Sequence, residues 1–452
     1  SILVSGGVQG AITDLDGNFV LDVVAGTPLT ISYIGYKTKE MKASLQMQIT
    51  LEEDSEELEE VVVVGYGTQK KVNLSGSVAS VNVEKIMESR PITSVSQALA
   101  GMAAGVQVTS GTNRPGSDEA TIKVRGQGTL NSSSPLIIID GVEAPVNTVN
   151  PQDIASVSIL KDAASAAIYG SRAANGVVLI TTKKGESGSF KIDYNGYVSF
   201  ESIRKTDAMT PVSNYADYME LVNEGLENTN MAKKFSQGAI DAWRNDAGKD
   251  PLLYPNTDWI DETFRSAVST NHILSVNGGT DKLRFYASMG YMKNPGVMEN
   301  TGTERYNGRL NLEANLKPWL TLGMQIGGYI SNSKVGNADN VFMYAKDTTP
   351  GMVFRAPDGR YGAMSNPEDK AQGGNNPLRT LNSLTGNNRR ENIRARFSAT
   401  IQPVKDLLIN ASYSYEGSHQ QKDTKPVFID LWDFKTNTIA VNGTGKSYIS
   451  DA

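Results

Sequence analysis

Residues that could support covalent or metal chemistry are scarce in this 452-residue sequence. It contains no cysteine and only two histidines, His272 and His419, which stand in unrelated segments. Disulfides and thiolate metal sites are therefore excluded, and two separate histidines are too few for most histidine-based catalytic or zinc sites. The Gly-x-Ser-x-Gly elbow of serine hydrolases does not occur. These residue types argue against a hydrolase.

Three short motifs are similar to ligand-binding loops, but each lacks a defining residue. Residues 445–447 (GKS) end like a phosphate-binding loop, yet the first glycine that such a loop needs is replaced by Ala440. The run that starts at Asp14 (DLDGN) has its glycine fourth, whereas a calcium-binding EF-hand loop needs it sixth, so we expect a hairpin turn. Arg125-Gly126 opens only half of a dinucleotide fingerprint and predicts a tight turn. We therefore expect neither a cofactor nor a metal.

Charge and hydropathy limit the partners and the compartment. The net charge of −6 does not provide the basic face that binding to nucleic acid requires. No run of 18 apolar residues marks a transmembrane helix. A mean hydropathy of −0.32 still allows an outer-membrane barrel, because lipid-facing and lumen-facing residues alternate along its strands and cancel. No signal peptide is present at Ser1, so we expect that the visible start is not the gene start.

Composition shifts divide the chain into segments and predict a mainly β protein. The predicted segments are 1–51, 52–71, 72–185 and 190–452. In the first, the turn at Asp14 lies between β-rich runs, which favours a small β-sandwich. The second is an acidic linker, since seven of the nine positions from Glu52 to Glu60 are acidic, and four valines follow it. Repulsion between these charges keeps such a linker extended.

The third segment mixes short strands with two helix-like pieces. Residues 94–102 could begin with a cap at Ser94, and residues 162–174 carry Asp162 near their start, where an acid suits the helix dipole. Two strands joined by a turn lie between these pieces, and GVVLITTKKG closes the segment as a buried strand. This pattern predicts an α+β domain.

The fourth segment shows sustained alternation of apolar and polar side chains, the period of a strand with two different faces. In residues 282–291, for example, Leu283, Phe285 and Met289 share one face, while Arg284, Tyr286 and Ser288 share the other. We count seven strands: 190–201, 268–278, 281–293, 304–317, 319–333, 391–403 and 405–418.

The connections between these strands alternate strictly between short and long. The three long ones are 202–267, 294–303 and 334–390. A soluble sandwich gives no reason for this order, whereas a barrel in an outer membrane has tight turns on its periplasmic side and long loops outside. With that orientation Tyr291, Tyr306 and Tyr415 fall near the outer ends on the apolar face, and Trp319 falls at an inner turn, as expected for two aromatic girdles.

Several long segments closely resemble the SusC/RagA family of TonB-dependent outer-membrane transporters. The resemblance is long and specific through the predicted plug, and it covers nearly the whole chain. The segments that carry it are 59–71 (EEVVVVGYGTQKK), 121–145, 150–185, the barrel-like 256–265 and 272–301, and 13–19 with 31–36, which resemble a carboxypeptidase-regulatory-like extension.

The resemblance implies a mechanism without an enzymatic step. The plug closes the barrel lumen, and oligosaccharide or oligopeptide cargo is captured outside under a SusD-like lipoprotein. TonB, driven through ExbB and ExbD, pulls on the valine segment from the periplasm. An extended valine segment with free backbone groups can add as a strand to a partner's sheet. We expect this segment to be unpaired unless TonB is bound.

The resemblance and the alternation also assign candidate site residues. TonB binding falls on Val61, Val62, Val63, Val64, Gly65, Tyr66 and Gly67. Plug turns and strands include Arg125, Gly126, Asp140, Gly141, Lys161, Asp162, Tyr169 and Gly170. Candidates for lumen-facing positions, which could favour anionic cargo, are Arg284, Arg309, Arg394 and Arg396.

One departure concerns the size of the barrel. Plugged transporters have about 22 strands, and seven cannot close around a plug, so we expect that this chain is the N-terminal or ordered part of a longer protein. The alternatives are a soluble or surface multi-domain β binding protein and a TonB-dependent siderophore or signalling receptor. Recovery of the protein with outer-membrane lipids on fractionation favours a transporter, whereas solubility without detergent favours the first alternative.

Overall fold

The computed structural model describes residues 2–4, 10–11, 13–14, 18–33, 36–47, 49–50, 61–64, 67–70, 78–81, 93–128, 133–206, 210–372 and 376–443. Most of the acidic linker, Gly65, Tyr66 and the GKS run at 445–447 therefore lie outside the described residues. The chain forms two compact units, Ser1–Ser77 and Val78–Ala452. No helix in the described ranges is both long and apolar enough to cross a membrane.

The first unit contains a four-stranded sheet and a separate hairpin. In the sheet, β2 lies beside β1, followed by β3 and β4. Leu29 and Ile31 of β3 are buried in its small core. Asp14 accepts a hydrogen bond of 2.7 Å from the backbone N–H of Asn18, and the residues of the predicted turn between them lie outside the described residues. The strands of this unit are β1 (Ile2–Val4), β2 (Gly10–Ala11), β3 (Pro28–Tyr33), β4 (Tyr36–Lys42), β5 (Val61–Val64) and β6 (Gly67–Lys70).

The four valines form β5, and this strand is paired. It runs antiparallel to β6, with Val61 opposite Lys70 and Val64 opposite Gly67. The expectation of an unpaired strand is therefore wrong. Within the described residues the sheet has only these two strands.

The predicted plug begins the second unit and is built on a mixed five-stranded sheet in the order β11-β10-β13-β12-β7. Strands β10 and β13 run parallel, and the other neighbours are antiparallel. β8 and β9 form a separate pair. The strands are β7 (Val78–Val81), β8 (Val106–Ser110), β9 (Ala120–Val124), β10 (Leu136–Ile139), β11 (Val142–Glu143), β12 (Ile154–Leu160) and β13 (Val177–Thr182).

Both predicted plug helices are present but short: α1 (Val95–Ala98) and α2 (Ala163–Ala166), the latter followed by a 3-10 helix at Ala167–Ala173. Asp162 caps α2 by accepting a 2.7 Å hydrogen bond from the N–H of Ser165, as expected. Ser94 does not cap α1 with its side chain. Its hydroxyl donates instead to Asn147, 3.0 Å away.

All seven strands predicted for the fourth segment are confirmed. They form one antiparallel sheet in which sequence neighbours are spatial neighbours. We call it the long sheet. Its strands and the later short ones are β14 (Gly188–Glu201), β15 (Ala267–Gly279), β16 (Leu283–Asn294), β17 (Thr303–Lys317), β18 (Leu320–Lys334), β19 (Tyr361–Gly362), β20 (Leu384–Val404), β21 (Leu407–Pro426), β22 (Leu431–Asp433) and β23 (Thr438–Val441), with β19, β22 and β23 outside the long sheet.

The two faces of the long sheet have the predicted polarity. Met289 and Tyr306 lie on one face and are 76% and 49% exposed. Ser288 and Arg309 lie on the other face and are buried at 5% and 8% exposure against the plug. We call these the outer face and the inner face. This open, large antiparallel sheet wrapped on a plug has the architecture of a partial barrel.

The long connections after β14 and β18 fold together around an aromatic core, which we call the loop subdomain. Tyr215, Trp243 and Trp259 are buried in this core. Asp369 is fully buried beside it, accepts a 2.9 Å hydrogen bond from the Tyr215 hydroxyl and pairs with Lys234. Burial raises the pKa of Tyr215, so its hydroxyl stays protonated. The helices of the loop subdomain are α3 (Tyr215–Asn228), α4 (Gln237–Asp246), α5 (Trp259–Thr263), α6 (Val341–Asp347) and α7 (Pro377–Asn382).

Candidate functional site: the contact between the plug and the long sheet

The turn Asp140-Gly141 is the point where the plug meets the middle of the long sheet. Both residues have positive φ, 51° and 83°, as a type I′ hairpin turn between β10 and β11 requires. The Asp140 carboxylate accepts hydrogen bonds of 2.9 Å from both the N–H and the hydroxyl of Thr182, at the end of β13. The turn is therefore held to its own sheet by these hydrogen bonds, independently of its contacts with the long sheet.

Two arginines of the inner face hold this turn. Nη1 of Arg309, on β17, lies 3.4 Å from Asp140 and 3.2 Å from the Thr182 hydroxyl. Arg396, on β20, donates to the backbone carbonyl of Asp140. Its guanidinium also packs on Gly141, because a Cβ at that position would lie 3.2 Å from Arg396 Nη1. A side chain at position 141 would therefore displace the arginine.

A second carboxylate, Asp153, completes the charge cluster. It lies directly before β12, its side chain is 4% exposed, and Arg309 Nε is 3.8 Å away. The hydroxyls of Tyr286 and Ser288 donate to it at 2.9 and 2.6 Å. Asp153 was not predicted, since an aspartate in the turn NPQD has no sequence feature that identifies a partner on a distant strand. Tyr286 and Ser288, by contrast, lie on the face that the alternation predicts to be polar.

Asn311 extends the contact by one step along β17. Its amide donates to the Thr182 hydroxyl at 3.0 Å and to the carbonyl of Lys183 at 2.6 Å. The end of β13 is therefore bound by side chains of two inner-face positions, 309 and 311. This region joins the plug to the long sheet through buried polar groups rather than through an apolar core.

The other two predicted lumen residues have different surroundings. Arg394 is 8% exposed on the inner face, and its Nη1 has no hydrogen-bond partner among the described residues. Arg284 pairs with Glu313 on the neighbouring strand at 3.7 Å, with about a third of each side chain exposed. All four arginines are thus on the inner face or its rim, and two of them, Arg309 and Arg396, bind the Asp140-Gly141 turn.

A polar cavity of about 500 Å³ lies at the end of this contact nearest to the long connections. Asp118 of the plug and Arg305 of β17 line it. The Arg305 guanidinium stacks 4.1 Å from the centre of the Tyr329 ring and donates to the carbonyl of Asn147. Burial raises the pKa of Asp118, which Thr93 and Arg305 partly offset. The cavity offers hydrogen-bond donors and acceptors, and side chains of both charges, to a polar ligand.

The remaining predicted plug residues form turns and local braces. Arg125 and Gly126 have φ of 59° and 82°, and the Arg125 N–H donates to the carbonyl of Gly105 at 2.7 Å. Lys161 donates from Nζ to the carbonyl of Ala104 at 2.7 Å. Tyr169 packs against an apolar cluster formed mainly by residues of β10, β12 and β13, and Gly170 has φ of 68°. These residues shape the plug but do not contact the charge cluster.

Two further sets of predicted residues remain untested. The TonB-binding assignment of 61–67 falls partly on β5 and partly outside the described residues. Among the proposed girdle residues, Tyr306 and Tyr415 are 49% and 54% exposed on the outer face, and Trp319 is 48% exposed at a tight turn. Tyr291 packs on Tyr306 with 5.1 Å between ring centres. Over the described ranges, no group of three or more His, Asp or Glu side chains is arranged to hold a metal.

Comparison with protein families identifies two domains. Residues 70–177 match the TonB-dependent receptor plug domain, and residues 1–63 match the CarboxypepD_reg-like domain. The TonB-dependent receptor SusC of Bacteroides thetaiotaomicron is 33% identical over 99% of this chain and 45% of its own length. A TonB-dependent receptor of Formosa agariphila is 34% identical over 94% of this chain and 42% of its own length. The chain thus spans less than half the length of these relatives.

Solved structures agree with the fold. The RagAB peptide importer in its open-open state matches with a TM-score of 0.66 and 26% identity, over 81% of this chain and 43% of that one. A structure of the RagAB peptide transporter matches with a TM-score of 0.62 and 27% identity, over 76% and 41% of the two chains.

Proposed function

Because this chain belongs to the SusC/RagA family of TonB-dependent transporters, we propose that the whole protein imports an oligomeric nutrient across the outer membrane. The observation that carries the proposal is the plug seated on a polar inner face through Asp140, Asp153 and Arg309. A plug held by buried polar groups closes a lumen, yet it can be released without exposing a large apolar surface. No catalytic step is assigned to the chain.

The energy for release comes, in this proposal, from TonB acting on Val61–Gly67. The two-stranded hairpin β5–β6 supports this role, because each strand has one edge without a strand partner among the described residues. An isolated two-stranded hairpin is marginally stable, so its edge is available for strand addition by a partner. We place residues 1–71 in the periplasm on the same grounds, as extension and linker, with the plug at 72–185 and barrel strands from 190 onwards.

A SusD-like surface lipoprotein is the proposed partner on the outside. The loop subdomain supports this, since its buried aromatic core gives the outer connections a fixed shape that a lid could recognise. For the cargo, the relatives named as RagAB are peptide importers, and an oligopeptide is therefore one proposal for this chain. An oligosaccharide is the other. The polar cavity beside Asp118 and Arg305 accommodates hydrogen-bonding groups of either kind.

The test uses the full-length protein in its own outer membrane. Deletion of Val61–Gly67 should abolish uptake of the nutrient while surface binding and heat-modifiable mobility of the barrel stay unchanged. Deletion of an equal number of residues in the outer loop 427–443 is the matched control, since it leaves the periplasmic segment intact. Uptake at the wild-type rate after the first deletion would refute the role of TonB.

A further inference from the structure

Three neighbouring side chains of the inner face end in buried polar atoms that have no partner among the described residues. Arg394 is 8% exposed, and its Nη1 lacks a hydrogen-bond acceptor there. Arg396 lies two positions further along the same face of β20, and its Nε is likewise unpartnered. Gln325 lies opposite Arg396 on β18, and its Oε1 is also without a partner. Because rotation of a glutamine amide exchanges its oxygen and its nitrogen, Gln325 can present a donor at the same place.

A glycine on β18 brings a further guanidinium group close to Arg394. Arg309 on β17, Gly327 on β18 and Arg394 on β20 lie opposite one another in the antiparallel register. A Cβ at position 327 would lie 3.1 Å from Arg309 Nη2, so the Arg309 guanidinium extends over the glycine toward β20. Two cations therefore share one row of the inner face, and because they are buried there, solvent screens their repulsion only weakly.

Two carboxylates lie near Arg394, and each is engaged by another residue. The charges that act on Arg394 are Arg309, which repels it, and Asp140 and Glu416, which attract it. Asp140 already pairs with Arg309, at 3.4 Å. Glu416 is exposed on β21 and accepts a 3.1 Å hydrogen bond from the Asn392 amide. Neither carboxylate is thus left to act as the counter-ion of Arg394.

The charge balance of this contact favours an anion over a water molecule. Among the described residues, the guanidinium groups of Arg309, Arg394 and Arg396 face the two buried carboxylates Asp140 and Asp153. A water molecule accepts hydrogen bonds from guanidinium groups but leaves the excess positive charge uncompensated, which is strongly unfavourable in a buried site. A monovalent anion accepts the same hydrogen bonds and also neutralises the charge.

We propose that a chloride ion binds at this point between the plug and the long sheet and accepts hydrogen bonds from Arg394, Arg396 and Gln325. A small monovalent anion suits the site, because the unpartnered atoms belong to adjoining positions of two strands and one positive charge is in excess. The ion stabilises the seated plug, since it offsets the repulsion between arginines that are buried together. It has this role whichever nutrient the protein imports.

Bromide, which replaces chloride and scatters X-rays anomalously, locates the ion. Crystals of the full-length protein grown in sodium bromide are compared for wild type, Arg394→Gln and the control Arg284→Gln. Arg284 is a matched control because it also lies on the inner face or its rim but pairs with Glu313, with about a third of each side chain exposed. We expect an anomalous peak beside Arg394 in wild type and in Arg284→Gln, and no peak in Arg394→Gln.

Amide hydrogen exchange measures whether the ion stabilises the plug in solution. Exchange of residues 136–160 in the full-length protein is followed along a sodium chloride series, in which sodium gluconate keeps the ionic strength constant. Gluconate serves as the reference because it is much larger than chloride. A ligand that binds only the seated state should slow exchange about tenfold when its concentration reaches about ten times its Kd. In Arg394→Gln, exchange should not change along the series.

Wild type alone can overturn the proposal, even if Arg394→Gln does not fold. An empty site in bromide contradicts it, and so does a carboxylate side chain paired with Arg394 in place of the ion. Exchange in wild type that does not respond to chloride also contradicts it. A bromide peak that persists in Arg394→Gln indicates an adventitious ion only and has the same consequence.

Discussion

Arg309 is a buried cation in the contact between the plug and the long sheet, and it faces two buried carboxylates. Its side chain is 5% exposed, and the two carboxylates that it faces, Asp140 and Asp153, are 9% and 4% exposed. Desolvation of such groups costs several kcal/mol per ion unless charge and hydrogen bonds compensate it. Here each carboxylate also has hydroxyl donors, from Thr182 and from Tyr286 with Ser288. The cluster therefore combines charge pairing with hydrogen bonds, although Nε of Arg309 has no hydrogen-bond partner among the described residues, and it is sensitive to loss of any member.

We predict that Arg309→Met destabilises the plug by about 3–5 kcal/mol, because it leaves buried carboxylates without their counter-charge. Amide hydrogen exchange of 136–160 in the full-length protein measures the effect. The double variant Arg309→Met with Asp140→Asn should recover part of the loss, since it removes one uncompensated charge.

The control for this variant is Arg172→Met. Arg172 also pairs with a carboxylate, Glu143, but both side chains are about half exposed or more. A surface pair of this kind is worth about 0–1 kcal/mol, so exchange should hardly change. If both arginine variants altered exchange equally, the buried cluster would not be what fixes the plug.

The stability of the connection around Glu299, and of the segment around Arg355 that pairs with it, is predicted to depend on pH. Hydrogen bonds from Arg355 and Asn382 lower its pKa from its ordinary value of 4.5. A carboxylate with a lowered pKa contributes stability that is fully present above about pH 4.5 and is lost as the pH falls through the lowered pKa. Limited proteolysis of 295–302 and 352–361 should therefore accelerate below pH 4.5 in wild type. In Glu299→Gln this acid-dependent step should be absent, and a step of equal size would contradict the assignment.

At the scale of elements, the sequence predicts the long sheet well for a physical reason. Each strand separates an apolar face from a polar one, and such a strand shows its period directly. The prediction fails at the outer ends, where β20 begins at Leu384 rather than 391 and β21 runs to Pro426 rather than 418. Residues 387–390 are NNRR and 419–425 are HQQKDTK, so both faces are polar there and the alternation disappears.

Two other features could not be read from the chain. The hairpin β5–β6 was missed because Gly67–Lys70 is short and lacks alternation, so only the register reveals it as a partner. The roles of Asp153 and Thr182 depend on contacts with β16 and β17 from more than a hundred positions away. A turn such as Asp140-Gly141, by contrast, is predictable from its own two residues, but its arginine partners are not.

The hairpin leads to a prediction that separates its two edges. Val64 lies opposite Gly67 with two residues between them, so we take Val64 and Gly67 as a hydrogen-bonded pair. Because such pairs alternate along an antiparallel ladder, the backbone N–H of Val62 points to β6 and the backbone N–H of Val63 points to the open edge. Val63→Pro should abolish uptake and binding of the TonB C-terminal domain, since it removes an outward donor. Val62→Pro weakens the hairpin but leaves the open edge, and it should retain most of the binding. The opposite order would mean that TonB pairs with the inner edge after the hairpin opens.

At the scale of the whole molecule, the inner face combines two tasks. While the plug is seated, Asp140 and Asp153 neutralise Arg309 and the turn occupies Arg396. If the plug moves away as the proposed function requires, these arginines and Arg394 face the lumen without those partners. Under that proposal the inner face that holds the plug becomes a positively charged surface along the path of the cargo, and the selectivity of the open state should follow from the residues that stabilise the closed state.

This leads to a prediction for the full-length protein without its plug. Deletion of residues 78–185 should give an open pore, and replacement of Arg309, Arg394 and Arg396 by glutamine should shift its selectivity toward cations, because three lumen cations are lost. Reversal potentials in planar bilayers under a KCl gradient measure the shift. Replacing Lys249, which is exposed, and Lys346, which is half-buried, by glutamine removes charge from the loop subdomain outside the lumen and serves as the control. If the lumen and loop variants moved the reversal potential equally, the arginines would not line the path, and their role would end with holding the plug.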